Sequence, residues 1–64
     1  MIKNKIKLLR EDKGVTQEDF AAVLQVSRQT VIAMEKGNYE PSLGLALKVA
    51  KFFGMPVEKI FTIN

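Results

Sequence analysis

Neither a cysteine nor a histidine occurs among the 64 residues, and in so short a chain this removes most of the usual ways of bracing a fold. Disulfides, thiolate or imidazole zinc sites and imidazole catalysis all need residues that are missing. A domain of this size buries only about 60% of the surface its unfolded chain exposes. Regular helix packing and self-association are the supports that remain. The lack of cysteine fits a reducing, cytoplasmic setting. No apolar run approaches the ~20 residues of a membrane helix, and the start, Met-Ile-Lys-Asn-Lys, lacks the apolar stretch of a signal peptide. The net charge of +3 and pI of about 9.5 suit a polyanionic partner, although charge alone separates few proteins.

The punctuation of the chain divides it into five short helices, an all-α arrangement expected to form one domain over residues 1–64. From Asn4 to Lys13, Ile6, Leu9, Arg10 and Lys13 keep the i, i+3, i+4, i+7 rhythm of a helix face, and Gly14 is placed to stop that helix. Thr-Gln-Glu-Asp from Thr16 is a capping signature, with Glu18 and Asp19 at the positive end of the helix dipole. Phe20, Ala21 and Leu24 form the inward side of this second helix. After a brief break at Gln25 and Val26, Ser27 opens a third helix to about Lys36, ended by Gly37 and Asn38. Pro41 and Ser42 open a fourth that runs through Phe53 to Gly54, and Pro56 begins a last one containing Val57, Ile60 and Phe61. On helix four, Leu43, Ala46, Leu47 and Ala50 are expected to face the core, with Leu45, Val49 and Phe52 partly on another side. Strands have little claim; only Ile-Phe-Thr-Ile-Asn at the end could be extended.

Two charges fall on inward faces. Val31, Met34 and Glu35 share one side of helix three, and Ile6, Leu9 and Arg10 share one side of helix one. A lone charge taken from water is expensive, so Arg10 and Glu35 either pair, tying helix one to helix three, or sit at the rim in solvent. In both cases their role is structural.

The outer face of helix three carries Gln29, Ile32, Ala33 and Lys36, with Ser27, Arg28 and Thr30 around its first turn. Arg can donate two hydrogen bonds to guanine and Gln can engage both edges of adenine, while Ala33 or Ile32 can meet a thymine methyl. Ser, Thr and the free amides of a helix start suit phosphate oxygens. An isolated helix with these residues would more simply be read as a solvated face. The preceding residues change that.

From Val15 to Lys36 the chain reads Val-Thr-Gln-Glu-Asp-Phe-Ala-Ala-Val-Leu-Gln-Val-Ser-Arg-Gln-Thr-Val-Ile-Ala-Met-Glu-Lys. This resembles the helix-turn-helix of the Cro/repressor, or xenobiotic-response-element, family, with the motif at about residues 16–37. Gln17 stands where the family has Gln, Ala21 where the helices cross, and Phe20, Leu24, Val26, Val31 and Met34 at its apolar positions. Met-Glu-Lys-Gly-Asn followed by Pro-Ser matches the family's ending. The resemblance spans Ile6 to Phe61 and implies a five-helix, repressor-like DNA-binding domain. It also implies that the family's buried Arg–Glu pair falls on Arg10 and Glu35. By position, Gln17 would hydrogen-bond a phosphate, Ser27 would cap helix three and touch phosphate, and Arg28 and Gln29 would read bases. Thr30, Ala33 and Lys36 would lie along the same face. Asn38 and Tyr39 match places where the family grips the backbone, though Asn38 also suits an ordinary turn and Tyr39 could equally pack over the core. One departure is Gln25, where relatives have glycine, so it must tolerate a left-handed conformation or distort the turn.

The function implied is sequence-specific binding of double-stranded DNA by a transcriptional regulator, a repressor acting on a palindromic operator as a homodimer. The dimer is expected to form through helix five and the C-terminal residues, with Met55, Ile60, Phe61 and Ile63 as apolar surface, unless helix five covers it. Short family members of the cytolysin-operon type join subunits by C-terminal strands, for which only Phe61-Thr62-Ile63-Asn64 would be left here. The alternative is an antitoxin or protein-interaction module using the same apolar patch. Such a module would be expected to lose Gln17, Arg28 and Gln29 together, yet all three are present. An enzyme is disfavoured, because there is no catalytic cysteine or histidine, no phosphate loop and no room for a substrate pocket. No cofactor, metal or small-molecule ligand is implied.

Overall fold

The computed structural model describes residues 2–63. Five helices follow one another: α1 (Ile6–Asp12), α2 (Gln17–Leu24), α3 (Arg28–Lys36), α4 (Leu43–Phe53) and α5 (Val57–Ile60). The starts of the three longest are fixed by side chains. Thr16 Oγ1 accepts from the Asp19 amide at 3.0 Å, Ser27 Oγ from that of Thr30 at 3.2 Å, and Ser42 Oγ from that of Leu45 at 3.2 Å. Each bond satisfies an amide that the helix itself cannot. At the end of α3, Gly37 takes φ +81° and lets the Asn38 amide reach back to the Ala33 carbonyl at 2.9 Å. Gln25 does adopt the left-handed conformation, φ 61°, so the turn between α2 and α3 keeps its shape without glycine.

The ends of the chain add a sheet to the expected helices. Strand β1 (Ile2–Asn4) pairs antiparallel with β2 (Phe61–Ile63), in the register Ile2↔Ile63, Lys3↔Thr62 and Asn4↔Phe61. Phe61 therefore belongs to a strand and not to the last helix, and α1 starts at Ile6 because Asn4 is already in the ribbon. Asn4 fastens the ribbon to the helices. Its Oδ1 accepts from the Ile6 amide at 3.1 Å, and its Nδ2 donates to the Met34 carbonyl near the end of α3 at 2.8 Å.

The core is built from Ile6, Phe20, Leu24, Val31, Met34, Val49 and Ile60, all fully buried. Phe20, Phe52 and Phe53 form a triad with ring centroids 5.1–5.4 Å apart, tilted or edge-on as the aromatic quadrupole prefers. Helix α4 corrects one expectation. Leu45, Ala46, Val49 and Ala50 face inward, whereas Leu43 and Leu47 stand in solvent, Leu43 at 73% exposure. The lysines decide this phase: Lys48 and Lys51 must reach water, and the stripe opposite them is the buried one. Among the described residues, no helix is long and apolar enough to cross a membrane.

Candidate nucleic-acid interface

Arg10 and Glu35 meet inside the molecule, as two inward charges on facing helices must. Arg10 Nε donates to Glu35 Oε2 at 2.6 Å and Nη2 to Oε1 at 3.2 Å, while Nη1 donates to the Val15 carbonyl at 2.9 Å. The two side chains are 9% and 4% exposed, so the rim alternative does not hold. The hydrogen bonds it donates to Glu35 hold the guanidinium above its already high ordinary range, against the desolvation that lowers it. This pair joins α1 to α3 and sets the roll of α3, and with it the direction of the outer face.

That outer face begins next to the pair. Gln17, at the start of α2, donates from Nε2 to Glu35 Oε1 at 3.1 Å. Its Oε1 accepts from Nε and Nη2 of Arg28 at 3.4 Å each, the long end of the hydrogen-bonding range. Arg28 Nη1 also lies 3.8 Å from Glu18 Oε1, but both side chains are more than half exposed and solvent screens the pair. Thr16, Gln17, Glu18 and Arg28 line one hollow with Arg10 at its base. The first turn of α3 projects beside it, with Ser27, Arg28 and Gln29 exposed. The Ser27 hydroxyl is already engaged with Thr30, by the cap and by a 3.1 Å contact between the two hydroxyls. The amides of Arg28 and Gln29, in the first turn, have no carbonyl within the helix to bond and are available to an anion.

The remaining expected residues divide by position. Thr30 and Ala33, with Ile32, are half-buried along the middle of α3. Lys36 and Asn38 are exposed at its far end, where they share a second hollow with Ile2, Lys3, Asn4 and Glu35. Tyr39 is 42% exposed and lines a cleft with Ile2, Pro41 and Phe61. Sequence reasoning passed over Lys3, which joins this end of α3 only because β1 pairs with a strand from the other terminus. Nothing near Lys3 in sequence signals that neighbourhood. The candidate face thus has two polar ends along α3, the Gln17–Arg28 hollow and the Lys3–Lys36–Asn38 hollow, with smaller side chains between them.

The chain and its fold have counterparts in known proteins. A helix-turn-helix family model matches residues 6–60. An uncharacterized HTH-type transcriptional regulator of Methanocaldococcus jannaschii is 60% identical over 60 residues, covering 94% of this chain and 91% of that protein. YgzD of Bacillus subtilis, also an uncharacterized HTH-type transcriptional regulator, is 52% identical over 63 residues, 98% of this chain and 96% of its own. The cryptic phage CTXphi transcriptional repressor RstR of Vibrio cholerae is 37% identical over 60 residues, 94% of this chain and 54% of its own. A solved structure from Bacteroides fragilis superposes with a TM-score of 0.85 over 97% of this chain and 100% of that one; at 24% identity it speaks for the fold alone.

Proposed function

The chain belongs to the helix-turn-helix family of transcriptional regulators, and from that premise we propose that it is a repressor that reads a palindromic operator as a homodimer. The observation that carries the reading is the exposed start of α3: Ser27, Arg28 and Gln29 project from a capped helix beside Gln17, on the face opposite the core residues Val31 and Met34. Arg28 and Gln29 read base edges in the major groove, and the second Nε2 hydrogen of Gln17, the α3 amides and Lys36 meet phosphates. Thr30 and Ala33 lie against the groove, with Asn38 and Tyr39 on the backbone beyond. The repressor named among the relatives supports repression as the mode of action.

Pairing is supported by size and by surface. The longest dimension of the domain is 28 Å, shorter than the ~34 Å between successive major grooves on one side of B-DNA. One copy therefore reads one half-site. Ile60 is fully buried and unavailable to a partner, which moves the proposed contact from helix five itself to Ile63, 83% exposed, and the open edges of the terminal ribbon. Leu43 and Leu47, on the solvent side of α4, are further apolar surface.

Selection of bound duplexes from a random pool, at two salt concentrations, tests this. The expected product is a palindrome with half-sites about ten base pairs apart, bound at roughly 10⁻⁸ M or tighter. Binding that enriches no sequence and vanishes with salt would reduce the interaction to phosphate attraction. The fold would then serve a protein partner in place of an operator.

A further inference from the structure

A glutamine amide has two chemically different ends, and in this molecule a buried charge decides which end faces out. Both Glu35 oxygens are already held by Arg10, and Oε1 accepts in addition from Gln17 Nε2 at 3.1 Å. An ionised carboxylate only accepts. Turning the amide around would press Gln17 Oε1 against that carboxylate and set Nε2 against the donors of Arg28. The orientation with nitrogen inward and oxygen outward is therefore the one the site permits, and the outward oxygen is what Arg28 Nε and Nη2 donate to.

We infer that Glu35, besides pairing with Arg10, is a positioning residue for base reading: it fixes the Gln17 amide, and through that amide it holds Arg28. The inference rests on the proposed reading of Arg28 as a base reader. Arg28 is a long, exposed side chain that must give up rotamer freedom to engage a base. A contact made before DNA arrives reduces that loss. Of its five donors, Nε–H and one Nη2–H are directed at Gln17, so the Nη1 pair and the other Nη2–H remain for a guanine edge. The exposed Glu18 contact at 3.8 Å is too screened to hold the guanidinium alone.

The decisive experiment is a double-mutant cycle on sequence discrimination, with a resonance measurement on the free protein beside it. Discrimination is the affinity for the selected duplex divided by that for a duplex altered at the base pair Arg28 reads. Gln17→Met keeps the length of the side chain and removes its polarity. In the native background it should lower discrimination roughly threefold to tenfold, within the range for directly coupled residues. In an Arg28→Ala background it should leave discrimination unchanged and weaken both duplexes alike, through the lost phosphate donor. A discrimination ratio that Gln17→Met does not alter in the native background would overturn the inference. In the free protein, Glu35→Gln should move the Arg28 Nε–H resonance toward that of a solvated arginine and speed its exchange, as Gln17→Met does. A resonance that stays in place in either variant would also overturn it, and Gln17→Met supplies this readout if Glu35→Gln does not fold. If Arg28→Ala alone leaves sequence preference intact, the base-reading role fails instead, and the resonance still reports whether the glutamine holds the arginine.

Discussion

Helix α3 presents two faces ruled by different physics. On the inner face, Val31 and Met34 are closed from water and Glu35 is committed to Arg10 and Gln17. On the outer face, Arg28, Gln29 and Lys36 are exposed, and most of their hydrogen-bonding groups are free for a ligand. Burial makes the first face intolerant, because any polar group left there without a partner carries its whole desolvation cost. Solvent makes the second face cheap to alter for folding and expensive to alter for recognition. The cost of a substitution in stability and its cost in DNA binding should thus separate within nine residues.

The largest effect is expected on the inner side. Glu35→Ala leaves the Arg10 guanidinium buried without its carboxylate, a change that costs about 3–5 kcal/mol when a buried pair loses one member. Whole domains are stable by about 5–15 kcal/mol, so this variant should lose much of its fold, visible as a collapse of the urea midpoint. The outer counterpart is Arg28→Ala. Its expected stability change is within about 0.5 kcal/mol, as for an exposed position. Its discrimination at one base pair should fall by about 1–3 kcal/mol, measured by competition between matched and altered duplexes. The contrast breaks if Arg28→Ala melts the protein as Glu35→Ala does.

The two faces also differ in how they could be read from residues alone. Thr16, Ser27 and Ser42 announce their helices locally, since each cap acts within three residues, and all three caps are made. The inward charges at positions 10 and 35 were visible because periodicity places them among apolar neighbours. The phase of helix α4 is not legible locally in its apolar residues, because Leu-Gly-Leu-Ala-Leu-Lys-Val-Ala-Lys-Phe-Phe is apolar on several sides, and leucines at 43 and 47 look as buriable as Leu45 and Val49. Its two lysines held the answer. Of the terminal ribbon only the second strand had a local signal, in the extended-looking Ile-Phe-Thr-Ile-Asn; β1 had none, and each three-residue strand exists only by pairing with the opposite end of the chain. The same long-range closure brings Lys3 to α3. Likewise, the contact between Gln17 and Glu35 joins residues 18 apart and depends on how α2 crosses α3. Local chemistry made the candidate readers legible, whereas their mutual positioning needed the tertiary fold.

A smaller effect distinguishes the kinds of outer residue from one another. Lys36 is exposed in the last turn of α3 and carries charge without the planar fork of arginine. In the proposed reading it meets phosphate and contributes to affinity for every sequence equally. Lys36→Ala should therefore reduce the slope of log affinity against log salt by about 1 and leave discrimination unchanged. A salt titration on matched and altered duplexes measures both quantities together. A change in discrimination would make Lys36 a reader and extend the specific face along the whole helix.

The smallest effect belongs to the turn, which serves neither face. Gln25 sits at φ 61°, where an L-residue costs about 1–2 kcal/mol because its Cβ crowds the following carbonyl. Gln25→Gly removes that strain but returns about 0.5–1 kcal/mol through the freer unfolded chain. It also gives up the exposed hydrogen bond from Lys48 Nζ to Gln25 Oε1, long at 3.3 Å. The balance favours the glycine by about 0.5 kcal/mol, a rise of roughly 2–4 °C in the melting temperature of a domain this small. Because Gln25 lies between α2 and α3 and contributes to neither the buried pair nor the Arg28 hollow, DNA discrimination should not change. A fall in melting temperature would mean that the Lys48 contact outweighs the backbone strain. A change in discrimination would mean that the turn sets the angle of α3, so that folding and recognition are coupled through the backbone as well as through Glu35.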